Sequence, residues 1–306
     1  MSRQQQIRGG DPQWKAQRER STPLMLALLI ALARRFGRAP VRLLLYPIVG
    51  YFLLTGGSLR RASIGYLRRV FGHEPNWRDQ ARHFFSFASC ALDRVFLLSG
   101  GRDQLAVEEH RHGPILEIAR EGGCILLVSH IGSFEALRIN GTQDHRLSVR
   151  VLMDRAHNPM VTQMLEALNP DLAANVIDAS ARGPELVLAL KQALAAGHVI
   201  GIMGDRLRED EPATEVDFLG GRVRLPASPW ILAGVLGVPV LLGFGLYRGG
   251  RRYDCHYEVF DRHIRLPRSD RAGAVQACAQ RYADRLAHYA KSAPYNWFNF
   301  YDFWLP

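Results

Sequence analysis

The alternation of apolar and polar positions changes character along the chain. Residues 1–22 are polar and charged, and 2–6 read as a disordered start. Two apolar stretches follow, 23–33 (PLMLALLIALA) and 43–54 (LLLYPIVGYFLL), with Arg34, Arg35, Arg38 and Arg42 between them. Neither reaches the roughly 20 apolar residues of a simple membrane-spanning helix. The arginines after the first run, without a small-residue cleavage site, fit a secretory signal poorly. They suit a segment at a membrane surface, its cations near lipid phosphates. A short re-entrant hairpin and a pair of buried core helices are the alternatives. From 58 to about 98 the pattern is again helical, with Trp77, Phe84, Phe85, Phe87 and Phe96 as core-packing aromatics and Asn76 as a helix cap.

From Cys124 the period shifts. Cys124-Ile125-Leu126-Leu127-Val128-Ser129, after Gly122-Gly123, is a continuous apolar run and reads as a buried strand. Further strands are expected at 149–153, 176–178, 199–203, 238–247 and 253–260, the last two joined through Arg248-Gly249-Gly250-Arg251. Helices are expected at 158–168, 183–196 with Gly197 closing it, 226–236 and 271–291. Strand and helix in alternation predict an α/β fold: a central, mostly parallel sheet flanked by helices, preceded by an apolar helical N-terminal membrane-associated segment. The expected division is a polar tail at 1–22, a helical membrane-associated segment at 23–100 and an α/β domain at 101–306.

Composition adds a sign to this picture. The 306 residues carry a net charge of +10, almost all of the cations being arginine, with Lys only at Lys15, Lys191 and Lys291. A basic surface can face anionic lipid, an acidic carrier protein or nucleic acid. Nucleic acid ranks last, because no zinc-finger or RNA-binding signature is present. Cys90, Cys124, Cys255 and Cys278 lie far apart without ligand spacing and read as reduced thiols. His110 and His112 have no supporting ligand cluster nearby in sequence, so no metal site and no cofactor is implied.

Sites in open α/β sheets gather at the carboxyl ends of strands. His130 directly follows the strand ending at Ser129, and Gly132-Ser133 allows a tight turn into a helix near Phe134. Glu135 falls in the first helical turn, where the helix dipole favours its charge. A turn between them can bring the Glu135 carboxylate to one nitrogen of His130, leaving the other nitrogen toward a substrate: a base with an orienting acid and no protein nucleophile. Otherwise His130 packs at the strand end and Glu135 is a solvated helix residue. A hydrolase is disfavoured, since no G-x-S-x-G elbow occurs.

In this order the motifs resemble the lysophospholipid acyltransferase superfamily, and within it the late lipid A biosynthesis acyltransferase branch. His130 and Glu135 match its H-x4-(D/E) pair, and Asp154-Arg155-Ala156-His157-Asn158-Pro159 is similar to a tyrosine-arginine block ending in Asn-Pro. Residues 188–205 resemble the helix, glycine turn and strand that lead to an aspartate; Val216-Asp217-Phe218-Leu219-Gly220-Gly221 resembles the phenylalanine-glycine block; and 294–304 (PYNWFNFYDFW) resembles the aromatic C-terminal end. The likeness covers roughly 84 to the C-terminus. Asp154 stands where the branch has tyrosine, and Leu207 where it has a second acidic residue. Trp14 and Glu19-Arg20-Ser21 are similar to a subgroup that accompanies aryl-polyene pigment pathways.

The resemblance implies transfer of a fatty or aryl-polyene acyl group from an acyl thioester, carried by acyl carrier protein or coenzyme A, to a hydroxyl or amine of a lipid-like acceptor. His130 would take the acceptor's proton and Glu135 would fix the imidazole. Arg155 and Asn158 belong to a substrate-binding block, with Arg155 either stabilising the thioester oxygen, holding a phosphate, or standing as a surface residue. Asp205 either holds Arg155 or Arg206 or caps its strand. Gly220 and Gly221 make a turn or let substrate approach the backbone. Arg222 and Arg224 meet an acidic carrier or lipid phosphate, or form a solvated face. The implied location is the cytoplasmic face of a bacterial inner membrane. The alternative function is an inactive lipid-binding or scaffold member of a lipid-assembly complex.

Overall fold

The computed structural model describes residues 31–32, 35–156, 158–180, 183–208 and 211–305. The polar tail, nearly all of the first apolar stretch and His157 lie outside them. Helices α1 (Arg38–Leu43), α2 (Leu45–Thr55), α3 (Gly57–Phe71) and α4 (Trp77–Leu98) precede the sheet. Then follow β1 (Ala106–His112), α5 (Ile115–Gly122), β2 (Cys124–Val128), α6 (Phe134–Ile139), β3 (Val149–Met153), α7 (Pro159–Leu168), α8 (Pro170–Ala174), β4 (Val176–Asp178), α9 (Pro184–Ala195) and β5 (Val199–Met203). The chain continues through β6 (Ala213–Phe218), β7 (Gly221–Pro226), α10 (Ser228–Leu236), β8 (Val240–Tyr247), β9 (Arg252–Asp261) and α11 (Arg271–Ser292).

Seven strands form the central sheet in the order β1-β9-β8-β2-β5-β3-β4. All neighbours pair in parallel except β8 and β9, which form a hairpin. Strand β2 is central and wholly buried, as its unbroken run of Cys, Ile, Leu, Leu and Val requires with helices on both faces. The expected mostly parallel α/β sheet is therefore present. Strand β1 was not expected: its sequence, AVEEHRH, is polar because it is an edge strand half open to solvent. The two-stranded β6–β7 sheet was also missed, its alternation having been absorbed into a motif. All four cysteines are free and buried.

Helix α4 begins with the expected Asn76 cap, and Asp79 completes a capping box by accepting from the Asn76 backbone N–H. A buried ion pair ties α1 to it: Arg38 donates from Nε to Asp93 Oδ1 at 2.5 Å and from Nη2 to Oδ2 at 2.9 Å, while Tyr253 donates to the same carboxylate at 2.7 Å. Helix α2 turns Leu45 and Val49 inward but leaves Tyr46 63% and Leu54 86% exposed. It is one-sided rather than buried all round, contrary to the core-helix alternative. No single helix among the described residues is long and apolar enough to cross a membrane; α1–α2 and α3 pass that test only together, bent by 94°.

Downstream of α11 the aromatic C-terminal segment packs back over the core. Trp297 is fully buried; Phe298, Phe300 and Phe303 are nearly so. It also bonds across to the helical region. Ser63 on α3 donates to Nδ1 of His83 on α4 at 2.9 Å, and His83 Nε2 donates to the Trp297 carbonyl at 2.8 Å. Burial holds the His83 pKa down at about 4, against a smaller upward pull from the Trp297 hydrogen bond. The unfolded chain titrates near 6.5, so below that pH it takes up a proton that the folded chain refuses. Stability is thus complete above pH 6.5 and falls as pH drops toward 4, by on the order of 3 kcal/mol from this group. Thermal melts at pH 7 and 4.5 are expected to show a smaller acid-induced loss in His83→Gln than in the parent, since Gln keeps both bonds without titrating. Equal losses in the two proteins would contradict this assignment.

Candidate active site

Strands β2 and β5 are parallel neighbours, with Val128 opposite Met203, so the residues just beyond their carboxyl ends meet. Asp205 follows β5 by two residues and His130 follows β2 by two. The Asp205 carboxylate accepts the His130 backbone N–H at 2.9 Å through Oδ2, and His130 Nδ1 at 2.8 Å through Oδ1. A carboxylate only accepts, so Nδ1 carries the hydrogen and Nε2 keeps its lone pair. Among the described residues no side chain or backbone group bonds to Nε2. The His130 side chain remains 27% exposed while Asp205 is at 0%.

Asp205 is also held by the C-terminal segment. Trp297 Nε1 donates to Oδ2 at 3.0 Å and Asn299 Nδ2 at 3.4 Å. Burial alone would raise this carboxylate, but the His130 contacts and the Arg206 charge outweigh it and bring the pKa down to about 2. For His130, burial and then the charge of Arg206 outweigh Asp205 and hold its pKa below 6.5. The pair at neutral pH is therefore carboxylate plus neutral imidazole. Arg206 donates from Nε to Asn299 Oδ1 at 2.6 Å and from Nη2 to the Phe298 carbonyl at 2.9 Å, with Tyr301 alongside its guanidinium. Arg94, on α4, is near enough for its charge to reach both His130 and Arg206.

The turn that carries His130 is fixed by close backbone approach. Gly132 has φ +65°, and a Cβ there would lie 1.8 Å from the Gly245 carbonyl oxygen, so only glycine fits. Ser133 donates its backbone N–H to that oxygen and caps α6 by accepting from Ala136 at 3.2 Å. On the other side, Gly132 donates to the Asn296 carbonyl and Phe298 donates to the His130 carbonyl, so the C-terminal segment runs as a strand beside the turn.

The other expected site residues are placed differently. Glu135 is buried in the first turn of α6, but its carboxylate accepts Arg138 Nε at 2.9 Å along the helix, and the His130 backbone N–H and ring Nδ1 both go to Asp205. The orienting contact expected from Glu135 is made by Asp205, because the α6 turn sends Glu135 toward the next turn of its own helix. Asp205 and Arg206, read as substrate-binding, lie at the imidazole itself. Arg155 and Asn158 lie beyond the carboxyl end of β3, two strands from β2. Arg155 pairs with Glu166 at 2.7 Å, and Asn158 donates to the Asp154 carbonyl at 2.9 Å. Gly220 sits in the β6–β7 turn with φ +74°, after Leu219 at +47°. A Cβ on Gly221 would strike Trp304 and Arg69, so packing explains that glycine. Arg222 and Arg224 pair with Glu215 at 2.7 and 3.4 Å rather than standing free. Trp297, Asn299, Asn296 and Gly245 were missed; the density of Asn and aromatics in 294–304 was the available signal.

A family model described as bacterial lipid A biosynthesis acyltransferase matches residues 115–305, which include the turn, both strand ends and the C-terminal segment. The chain belongs to that family, and acyl transfer to a lipid-like acceptor is the reaction class this membership carries. No curated protein matches the chain.

The Glu135–Arg138 pair generates a stability prediction. Arg138 Nη2 is already buried without a partner. Glu135→Gln leaves the whole guanidinium unneutralised and is expected to cost about 3–5 kcal/mol, read as a lower denaturation midpoint. A normal midpoint together with an activity loss of several orders of magnitude would instead place Glu135 in the chemistry.

Proposed function

We propose that His130 is the general base of an acyltransferase that moves an acyl group from a thioester to a hydroxyl or amine of a lipid-like acceptor. The observation that carries this reading is the Nδ1–Asp205 hydrogen bond, which leaves the Nε2 lone pair directed away from the protein's own donors. Nε2 takes the acceptor's proton as its oxygen or nitrogen attacks the thioester carbonyl carbon. The carbonyl electrons move onto oxygen, then return as the carbon–sulfur bond breaks. The departing sulfur takes the proton from the imidazolium. Asp205 orients the ring and stabilises its charged form, the role assigned from sequence to Glu135. Arg206, close enough to depress the His130 pKa, is the cation best placed to favour the oxyanion, a role the motif pattern would have given to Arg155. Glu135 and Arg138 support the helix on which the turn rests.

The donor is an acyl thioester on acyl carrier protein or coenzyme A, and a fatty or aryl-polyene chain is compatible with this chemistry. The protein acts on the cytoplasmic face of a bacterial inner membrane. The support for membrane contact is the outer face of α1 and α2, where Leu43, Leu44, Tyr46, Tyr51 and Leu54 are exposed beside Arg35. The intact His130–Asp205 pair favours an enzyme over a scaffold.

Two outcomes follow. Asp205→Asn and His130→Ala should each lower kcat by about 10²–10⁴-fold in an acyl-thioester assay, with the fold retained by circular dichroism. In the parent, the acid limb of kcat/KM should fall below pH 6.5, since the depressed pKa keeps the base unprotonated there. Full activity in either variant defeats the mechanism. For the membrane face, Tyr46→Glu/Leu54→Glu should weaken sedimentation with anionic vesicles several-fold; unchanged binding would remove these helices from the contact.

A further inference from the structure

A second cluster of chemistry-bearing side chains lies at the opposite edge of the sheet from Arg155. Strands β1 and β9 pair in parallel with His110 opposite His256 and Glu108 opposite Asp254, so all four residues share one face. The rings of His110 and His256 stack at 4.5 Å with 15° between their planes. One ligand atom from each of His110, Asp254 and His256 lies within 4.8 Å of the others. Both ring nitrogens of His256 are buried and have no hydrogen-bond partner. A neutral imidazole left with an unmet donor and an unmet acceptor bears an uncompensated desolvation cost at each nitrogen. Such a group calls for a ligand.

We propose that His110, His256 and Asp254 form a binding site for a divalent transition metal of the zinc class. Two imidazoles and one carboxylate are a borderline nitrogen and oxygen set, which suits zinc and not calcium or magnesium. Metal–ligand distances of about 2.0–2.2 Å require the three atoms to draw in by about an ångström and the two stacked rings to tilt apart so that their lone pairs converge. His256 also lines an adjoining cavity of about 510 Å³, together with His112, Glu258, Arg285 and His288. Arg248 occupies Asp254 Oδ2 at 2.5 Å, which leaves Oδ1 for the metal. The cavity's arginines are paired, Arg248 with Asp254 and Arg285 with Glu258. The metal would clamp the edge strand β1 onto β9. Histidine spacing in sequence gave no hint of it, because the other ligands arrive from a strand more than a hundred residues on.

The test is zinc titration of the chelator-stripped, full-length purified protein by calorimetry, with cobalt(II) absorption as a second readout and melting temperature as a third. One equivalent is expected to bind at micromolar zinc and to raise the melting temperature. His110→Gln and His256→Gln should each abolish both effects, and His130→Ala should keep them. If His256→Gln fails to fold, His110→Gln, on the half-exposed edge strand, decides alone. No binding by the parent, retention of the equivalent in His110→Gln, or its loss in His130→Ala each overturns the site.

Discussion

Burying a carboxylate without solvent costs several kcal/mol unless the protein itself supplies donors, and Asp205 receives them from two distant parts of the chain. The His130 backbone and ring, the Trp297 indole and the Asn299 amide all point at it. None of these contacts can form until β2 and β5 are paired and the C-terminal segment has folded back. The imidazole's tautomer and its position follow from that one buried charge, while burial and the charge of Arg206 set its depressed basicity. Removing it would leave a backbone N–H, an indole and an amide without their acceptor, so its loss is felt in packing as well as in chemistry.

The C-terminal segment accordingly acts as a strap. It bonds the His130 turn on one side through Asn296 and Phe298, reaches Asp205 with Trp297 and Asn299, and takes Arg206 against Asn299. Through the Trp297 carbonyl it reaches His83, and so α3 and α4. Helix α4, to which the Arg38–Asp93 pair ties α1, is thus connected through buried hydrogen bonds to the proposed base. The aromatic density that marks this segment is core packing, and its polar members are what serve the site.

Much of this fold is legible in the amino-acid sequence, for physical reasons. Strands buried on both faces, such as Cys124–Val128 and Val199–Met203, cannot alternate and so announce themselves as apolar runs. Edge strand β1 is hidden by the polarity that protects an edge. Asn76 and Ser133 were recognisable as caps because capping depends on local geometry. The site is a harder case. His130 was recognisable from its place after a buried strand, but its acid was assigned to the nearest carboxylate in sequence, Glu135. Which carboxylate reaches the ring is decided by strand order, and Asp205 lies 75 positions away. Gly245 and Trp297 escaped for the same reason.

Membership of the lipid A biosynthesis acyltransferase family carries the reaction class, and the His130–Asp205 geometry supports the proposed base. The central claim is that Asp205 holds a neutral His130 with its hydrogen on Nδ1. It is tested most directly by the nitrogen-15 chemical shifts of histidine-labelled protein at pH 7, with the His130 signals assigned by their absence in His130→Ala. A neutral ring protonated at Nδ1, altered in Asp205→Asn and retained in Glu135→Gln, is the predicted result. A ring protonated at Nε2, or one altered by Glu135→Gln and not by Asp205→Asn, would contradict it.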